Sequence, residues 1–319
     1  MSDSTYNNSE TKYLQQPKPK NLFYFLFGLG VLMLNKIRYY LRGYTSPRPF
    51  DISQIQQAIN YDLNTVNHWN TFLSSYTKGN VSIKNKSILE LGPGADLGIG
   101  LITLFMGAER YNSLDVNNLV ASVPTSFYDE LFCQLPKCID NSEMPITELK
   151  NELELTKQGN NDKLNYICRD DFDVRIFGKG SIDIVFSQAA IEHFDDIDRT
   201  FEQLSEVVKP GGILIAEIDL NTHTRWLRDV DPLNIYRYPE WLYKTLKFRG
   251  APNRVRPNKY RMALENNGWE NIQIKPLTII DKEYHLKSKP HLARKFRSEK
   301  AEMDYLTIMV CATKSISTT

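Results

Sequence analysis

Cysteine is scarce, with four in 319 residues: Cys133, Cys138, Cys168 and Cys311. Only the first two are near neighbours, and no second Cys or His pair follows them. Neither a disulfide framework nor a zinc site is therefore written into the chain, and idle thiols of a reducing compartment remain as the reading. An excess of one charge is missing too. Lys plus Arg number 39 against 38 Asp plus Glu, a net charge of +1, which gives no broad positive field to hold a nucleic-acid backbone. No appended RNA-binding module is recognisable, so nucleic acid is not an expected partner. Internal repeats, a nucleophile elbow, a metal-ligand constellation and a Gly-Lys-Ser/Thr phosphate loop are also lacking. What is present is an ordinary globular mixture, 41% hydrophobic and 24% charged, which excludes wholesale disorder and a collagen-like fibre.

The chain also lacks a full-length apolar span near its start. Leu22 to Leu34 is an apolar run of 13 residues, where a spanning helix needs ~20. Lys18 and Lys20 precede it; Lys36, Arg38 and Arg42 follow. No small-x-small cleavage site comes after it, which argues against export. Two readings stand: a helix lying in a membrane interface between basic and aromatic flanks, or a helix packed on a catalytic domain or in a dimer interface. Residues 1–20 are polar and read as a mobile tail, and 21–85 as a helical extension ahead of the main domain.

From Lys86 the texture changes. Ser87-Ile88-Leu89-Glu90-Leu91 is a short buried strand running into Gly92-Pro93-Gly94 and then the start of a helix, a unit that brings backbone N–H groups close to a ligand. The glycines permit that approach and positive φ. A dinucleotide fingerprint would carry a third glycine where Leu97 sits. Glu90, at the strand end, suits a cationic ligand better than a pyrophosphate. The next strand, Tyr111 to Val116, contains Asp115, at the spacing where a carboxylate accepts both ribose hydroxyls.

Glu90-Leu91-Gly92-Pro93-Gly94 followed by Asp115 resembles the first two motifs of class I S-adenosylmethionine-dependent methyltransferases, of the small-molecule, type 11-like branch. Tyr166 to Asp171 is similar to the third strand of that family and its adenine-reading acid. Ile182 to Gln188 resembles the fourth strand; Glu192-His193 follows, and Leu204 to Gly212 resembles the helix and turn before the fifth strand, Ile213 to Leu220. The similarity runs from about Lys86 to Lys314, with one departure: Asp96 stands where many members have a third glycine. The resemblance implies S-adenosylmethionine as cofactor, with Glu90 to Gly94 around the methionine part, Asp115 and Val116 at the ribose, Asp170 or Asp171 at the adenine, and Ser187 and Gln188 beside them.

Strands near 87–91, 111–115, 165–169, 182–187, 212–219, 271–279 and 304–312 alternate with helical stretches such as Asp195–Val208. That predicts an α/β fold: a Rossmann-like, seven-stranded, mostly parallel sheet between two helical layers, with ligands at the carboxyl ends of the strands. The resemblance adds that the last strand runs antiparallel. The domain, 86–319, carries insertions at 117–165, beginning with a helix capped by Thr125 or Ser126, and at 221–258, where aromatic and guanidinium side chains crowd.

Removing a proton from the acceptor calls for a base. His193 is the leading candidate and His223 the second. Glu192, Arg225, Tyr236, Arg254 and Arg256 are candidate acceptor contacts, because aromatic rings with arginines suit sugar faces, carboxylates or phosphates. The expected activity is O-methylation of a sugar, glycolipid or other small molecule. A membrane lipid or quinone is the alternative acceptor, and an inactive donor-binding partner subunit the alternative class. The expected setting is cytoplasmic, peripheral on the inner face of the membrane if 22–34 seats there; a homo-oligomer is compatible with it. No metal is expected.

Overall fold

The computed structural model describes residues 11–43, 50–140, 142–160 and 162–316. Its centre is a sheet built from β1 (Lys12–Leu14), β2 (Ser87–Leu91), β3 (Arg110–Asp115), β4 (Leu164–Cys168), β5 (Ile182–Gln188), β6 (Val208–Asp219), β7 (Trp269–Ile280) and β8 (Tyr305–Lys314), in the spatial order β1-β7-β8-β6-β5-β2-β3-β4. β4, β3, β2, β5 and β6 run parallel, whereas β8 pairs antiparallel with both β6 and β7. The order reverses between β2 and β5, so the crevice beyond their carboxyl ends is where a ligand belongs.

The central strands β2, β5, β6 and β8 are rich in buried Ile, Leu and Val because both faces are covered. On one face lies a core around Ile88, Leu101, Tyr111, Phe127 and Trp69, supplied by α2 (Ile55–Thr77), α3 (Gly98–Phe105), α4 (Thr125–Cys138) and α5 (Ile146–Lys157). On the other, Leu89, Val185, Phe201, Leu214 and Leu264 pack with α6 (Ile197–Val207) and α9 (Pro257–Asn266). The side chain of Asp196 caps α6 by accepting from the Arg199 N–H at 3.0 Å.

Several elements differ from the sequence reading. Residues 11–20 are not a free tail: Lys12–Leu14 pairs parallel with Thr278, Ile279 and Ile280, giving the sheet an eighth, edge strand. Backbone pairing recruits a polar segment that composition alone assigns to solvent. The first ten residues of the expected tail lie outside the described residues. β6 begins at Val208, so it includes the Lys-Pro-Gly-Gly turn, which it accommodates by a register shift against β5. α4 begins at Thr125 behind Pro124, and no side chain caps it.

A third apolar cluster joins the 221–258 segment to the N-terminal helix α1 (Asn21–Arg42). In it Arg237 and Asp231 form a fully buried ion pair at 2.7 Å, and Tyr284 Oη also donates to Asp231. Arg237 Nη1 reaches Asn21 Oδ1 at 2.8 Å, while Asn234 and Tyr238 donate to the carbonyls of Tyr24 and Phe25. Gly28 sits at this contact, where a Cβ would overlap Asn234 Oδ1 and Tyr238 Oη. Short helices α7 (Arg225–Arg228), α8 (Glu240–Leu246) and α10 (Lys282–Ser288) complete the body.

Candidate active site

A cleft of about 1660 Å³ opens at the carboxyl ends of the parallel strands. The loop after β2 forms its floor. Gly92 and Gly94 take φ of +71° and +84°, a conformation in which only glycine is unstrained; a Cβ on Gly92 would also come within 2.8 Å of Ala190 Cβ. Asp115, ending β3, braces this loop: its carboxylate accepts from Gly94 N–H at 3.3 Å and Asn117 N–H at 3.0 Å.

Carboxyls converge on the floor. Glu90 is buried and accepts from Tyr111 Oη; burial pushes its pKa up to about 8. Asp96 accepts from Gly98 N–H at 2.8 Å, and burial also raises its pKa. Asp62, on α2, faces Asp96, and burial with Asp96's charge raises it strongly. Burial raises Asp115 as well. All four line the cleft. Buried acids facing one another favour a cationic occupant that restores their ionised form.

This set fits S-adenosylmethionine. Were it bound here, Asp62, Glu90 and Asp96 would face its cationic methionine end, the Gly92 and Gly94 amides would allow close backbone approach, and Asp115 would meet the ribose. Gln188, at the end of β5, lines the cleft with its buried Oε1 unpartnered, an acceptor left for a ligand.

Across the cleft, after β5 and β6, two imidazoles meet with ring centroids 4.8 Å apart. His193 Nδ1 donates to Gly250 O at 2.6 Å, and burial pushes its pKa down to about 4. His223 Nδ1 pairs with Asn221 O at 2.9 Å. Its Nε2 faces Glu192 Oε1 at 3.7 Å and Asp219 Oδ2 at 3.9 Å, ion-pair rather than hydrogen-bond distances. Burial opposes a charge on His223, but these two carboxylates outweigh it and raise its pKa. Glu192 is fully buried and is pushed up to about 7 by burial. Asp219 is held low despite burial, by His223 and by Arg228 at 2.6 Å. The ligand atoms of Glu192, His193 and His223 lie within 4.8 Å of one another, a spacing that a divalent ion could bridge.

Of the residues singled out in the sequence, Glu90, Gly92, Pro93, Gly94, Asp115, Val116, Asp170, Asp171, Gln188, His193, His223 and Arg225 line one cleft. Asp171 is paired with Arg169 at 2.6 Å, whereas the side chain of Asp170 is largely exposed at the rim. Leu91 and Ser187 lie buried in their strands, and Glu192 stands behind His223. Tyr236, Arg254 and Arg256 are drawn elsewhere. Tyr236 Oη donates to Leu220 O at 2.7 Å. Arg254 donates to the carbonyls of Ile235 and Tyr238 and to Glu240. Arg256 donates to the carbonyls of Ala301, Glu302 and Tyr305. With their donors committed to backbone, they hold the insertion together rather than face an acceptor. The sequence reading missed Asp62, Arg38 and Tyr39 as parts of the cleft wall. Asp62 had a signal: it is an acid three residues after Ile59 and four before Val66, on the apolar face of α2.

Residues 130–216 match the family model described as a methyltransferase domain. A search of the curated proteins finds no match. Among solved structures, the chain resembles phosphoethanolamine N-methyltransferase 2 of Haemonchus contortus, in complex with S-adenosyl-L-methionine, at 14% identity and a TM-score of 0.44, over 78% of this chain and 52% of that one. It thus spans about half the length of that relative. An S-adenosylmethionine-dependent methyltransferase from Mesorhizobium loti matches at 14% identity and a TM-score of 0.40, over 76% and 97%, and the [4+2]-cyclase SpnF at 12% and 0.43, over 97% and 100%. Likenesses this distant bear on neither substrate nor chemistry. The methyltransferase-domain match over 130–216, the strand order with its antiparallel β8 and the acid-lined glycine loop agree with the resemblance to class I S-adenosylmethionine-dependent methyltransferases read in the sequence.

Proposed function

We propose that the protein methylates an oxygen of a small polar acceptor, a sugar or glycolipid, and that His223 rather than His193 takes the acceptor's proton. S-adenosylmethionine, when bound, supplies an electrophilic methyl group on its sulfonium. The chain's own part is to hold donor and acceptor in line and to accept a proton at His223 Nε2. The observation that carries this reading is the facing of His223 by Glu192 and Asp219, on the cleft that also holds the glycine loop. The two carboxylates favour the imidazolium that proton transfer creates. His193, neutral and tied through Nδ1 to Gly250, is a much weaker base and shapes the wall beside it.

The cleft supports a polar acceptor with flat faces: Arg225, Trp226, Arg249 and Phe248 line it, a mixture suited to sugar rings and their anionic substituents. A lipid-borne acceptor is the second reading, favoured by the contribution of α1 residues Val31, Leu32, Asn35 and Tyr39 to the same cleft. Supply of methyl-labelled S-adenosylmethionine to fractionated soluble metabolites and cell-envelope extract tests both. Label in a saccharide fraction, stable to amine-directed chemistry, supports the proposal. Label confined to an amine or to carbon overturns the oxygen assignment.

A further inference from the structure

We propose that the outward face of α1 seats on an anionic membrane surface, with the helix lying along the interface rather than crossing it. Leu22, Phe23, Leu26, Leu34, Ile37 and Leu41 are each more than half exposed, and their spacing over 22 residues puts them on one side of the helix. A stripe of this extent left to water marks a contact surface. Charge complementarity names the occupant. Lys18 and Lys20 before the stripe, and Arg38 and Arg42 at its far end, are all exposed, so cations bracket the apolar face as they do in interfacial helices that bind anionic lipid.

Neighbouring helices add to the surface. Val31 and Tyr24 of α1 pack with Leu227 of α7, and α8 also touches α1. Each of those two short helices exposes a tryptophan, Trp226 and Trp241, by 73% and 69%. Indole rings prefer the headgroup level of a bilayer.

α1 is long and apolar enough by composition to cross a membrane, but its inner face is committed. Asn234 and Tyr238 donate to the carbonyls of Tyr24 and Phe25, and Arg237 to the Asn21 side chain. The backbone at Gly28 lies too close to Asn234 for any side chain to intervene. A spanning orientation would strip these contacts; an interfacial one keeps them all. Since the inner side of α1 also walls the cleft, docking would set the cleft beside the headgroups. That consequence for the acceptor rests on the methyltransferase reading; the docking itself does not.

The test is co-sedimentation of the full chain with phosphatidylglycerol/phosphatidylcholine vesicles and with pure phosphatidylcholine vesicles, alongside sedimentation velocity without lipid. The expected results are binding to the anionic vesicles, weakening as salt is raised, and a loss of at least about tenfold in Leu26→Glu/Leu34→Glu and in Lys20→Glu/Arg42→Glu. Both pairs are solvent-facing, so circular-dichroism melting should show them folded. A full chain that stays in the supernatant with anionic vesicles overturns the proposal. So does a dimer that Leu26→Glu/Leu34→Glu splits, without preference for anionic lipid, which would assign the face to a second copy. Methyl transfer to a soluble acceptor in the absence of vesicles leaves the chemical reading intact whichever way docking falls.

Discussion

Replacing Asp115 should uncouple donor binding from everything else in the cleft. In the ligand-free protein its carboxylate holds two backbone N–H groups, at 3.0 and 3.3 Å, the second a long contact. Lone pairs therefore remain on both oxygens for the two ribose hydroxyls. Hydrogen bonds to a charged group contribute ~1.5–3 kcal/mol each. Losing two, less the water that re-enters, amounts to about 3–4 kcal/mol, or ~10²–10³ in Kd at ~1.4 kcal/mol per decade. Asp115→Asn keeps one acceptor oxygen, and so one of the two backbone N–H contacts and part of the ribose pairing, which should give an intermediate cost of ~10-fold. Calorimetric titration with S-adenosylhomocysteine measures both variants directly, and the donor-induced rise in melting temperature gives an independent scale. An Asp115→Ala protein that melts like the parent and binds within about threefold would refute the ribose role. A graded loss in the order parent, Asn, Ala supports it.

Other perturbations address the rest of the site. His223→Ala should lower turnover by ~10²–10⁴ with donor Kd within a few-fold, while His193→Ala should lower it far less; the reverse ranking in a single-turnover assay would return the base to His193. Glu90, with a pKa pushed up to about 8 by burial, binds its proton more tightly folded than unfolded. Its contribution to stability is therefore complete below about pH 4.3 and lost as pH rises through 8. Thermal melts of the ligand-free protein should fall across that window, and Glu90→Gln should flatten the slope; an unchanged slope would show that Glu90 is ionised in the fold. Gly28→Val should destabilise by about 1–3 kcal/mol through overpacking against Asn234 and Tyr238, read by urea denaturation. A neutral result would mean that α1 is not clamped to the body.

Much of this was legible where chemistry and local pattern coincide. Most strands from Ser87 onward announce themselves as short apolar runs between turns, and Glu90, the glycine turn and Asp115 sit together because strand ends follow one another through parallel crossovers. What escaped the sequence depends on tertiary placement. Lys12–Leu14 looks like solvent-exposed tail until the free edge of β7 pairs with it. Arg254 and Arg256 read as anion binders because a guanidinium carries the same donors whether it meets a ligand or a ring of carbonyls; only the fold shows those donors spent on Ile235, Ala301 and Tyr305. The apolar run of 22–34 continues into a helix twenty-two residues long, Asn21–Arg42, because Lys36, Arg38 and Arg42 are good helix formers, which a count of consecutive apolar residues cannot register. The two histidines differ through what stands behind them: Glu192, one residue before His193, faces His223 instead.

The most direct measurement is a crystal structure with S-adenosylhomocysteine. The account predicts both ribose hydroxyls at about 2.8 Å from the Asp115 carboxylate, the amino group among Asp62, Glu90 and Asp96, and the sulfur turned toward His223. A nucleoside bound with its ribose away from Asp115, or a sulfur facing away from the two imidazoles, would contradict it.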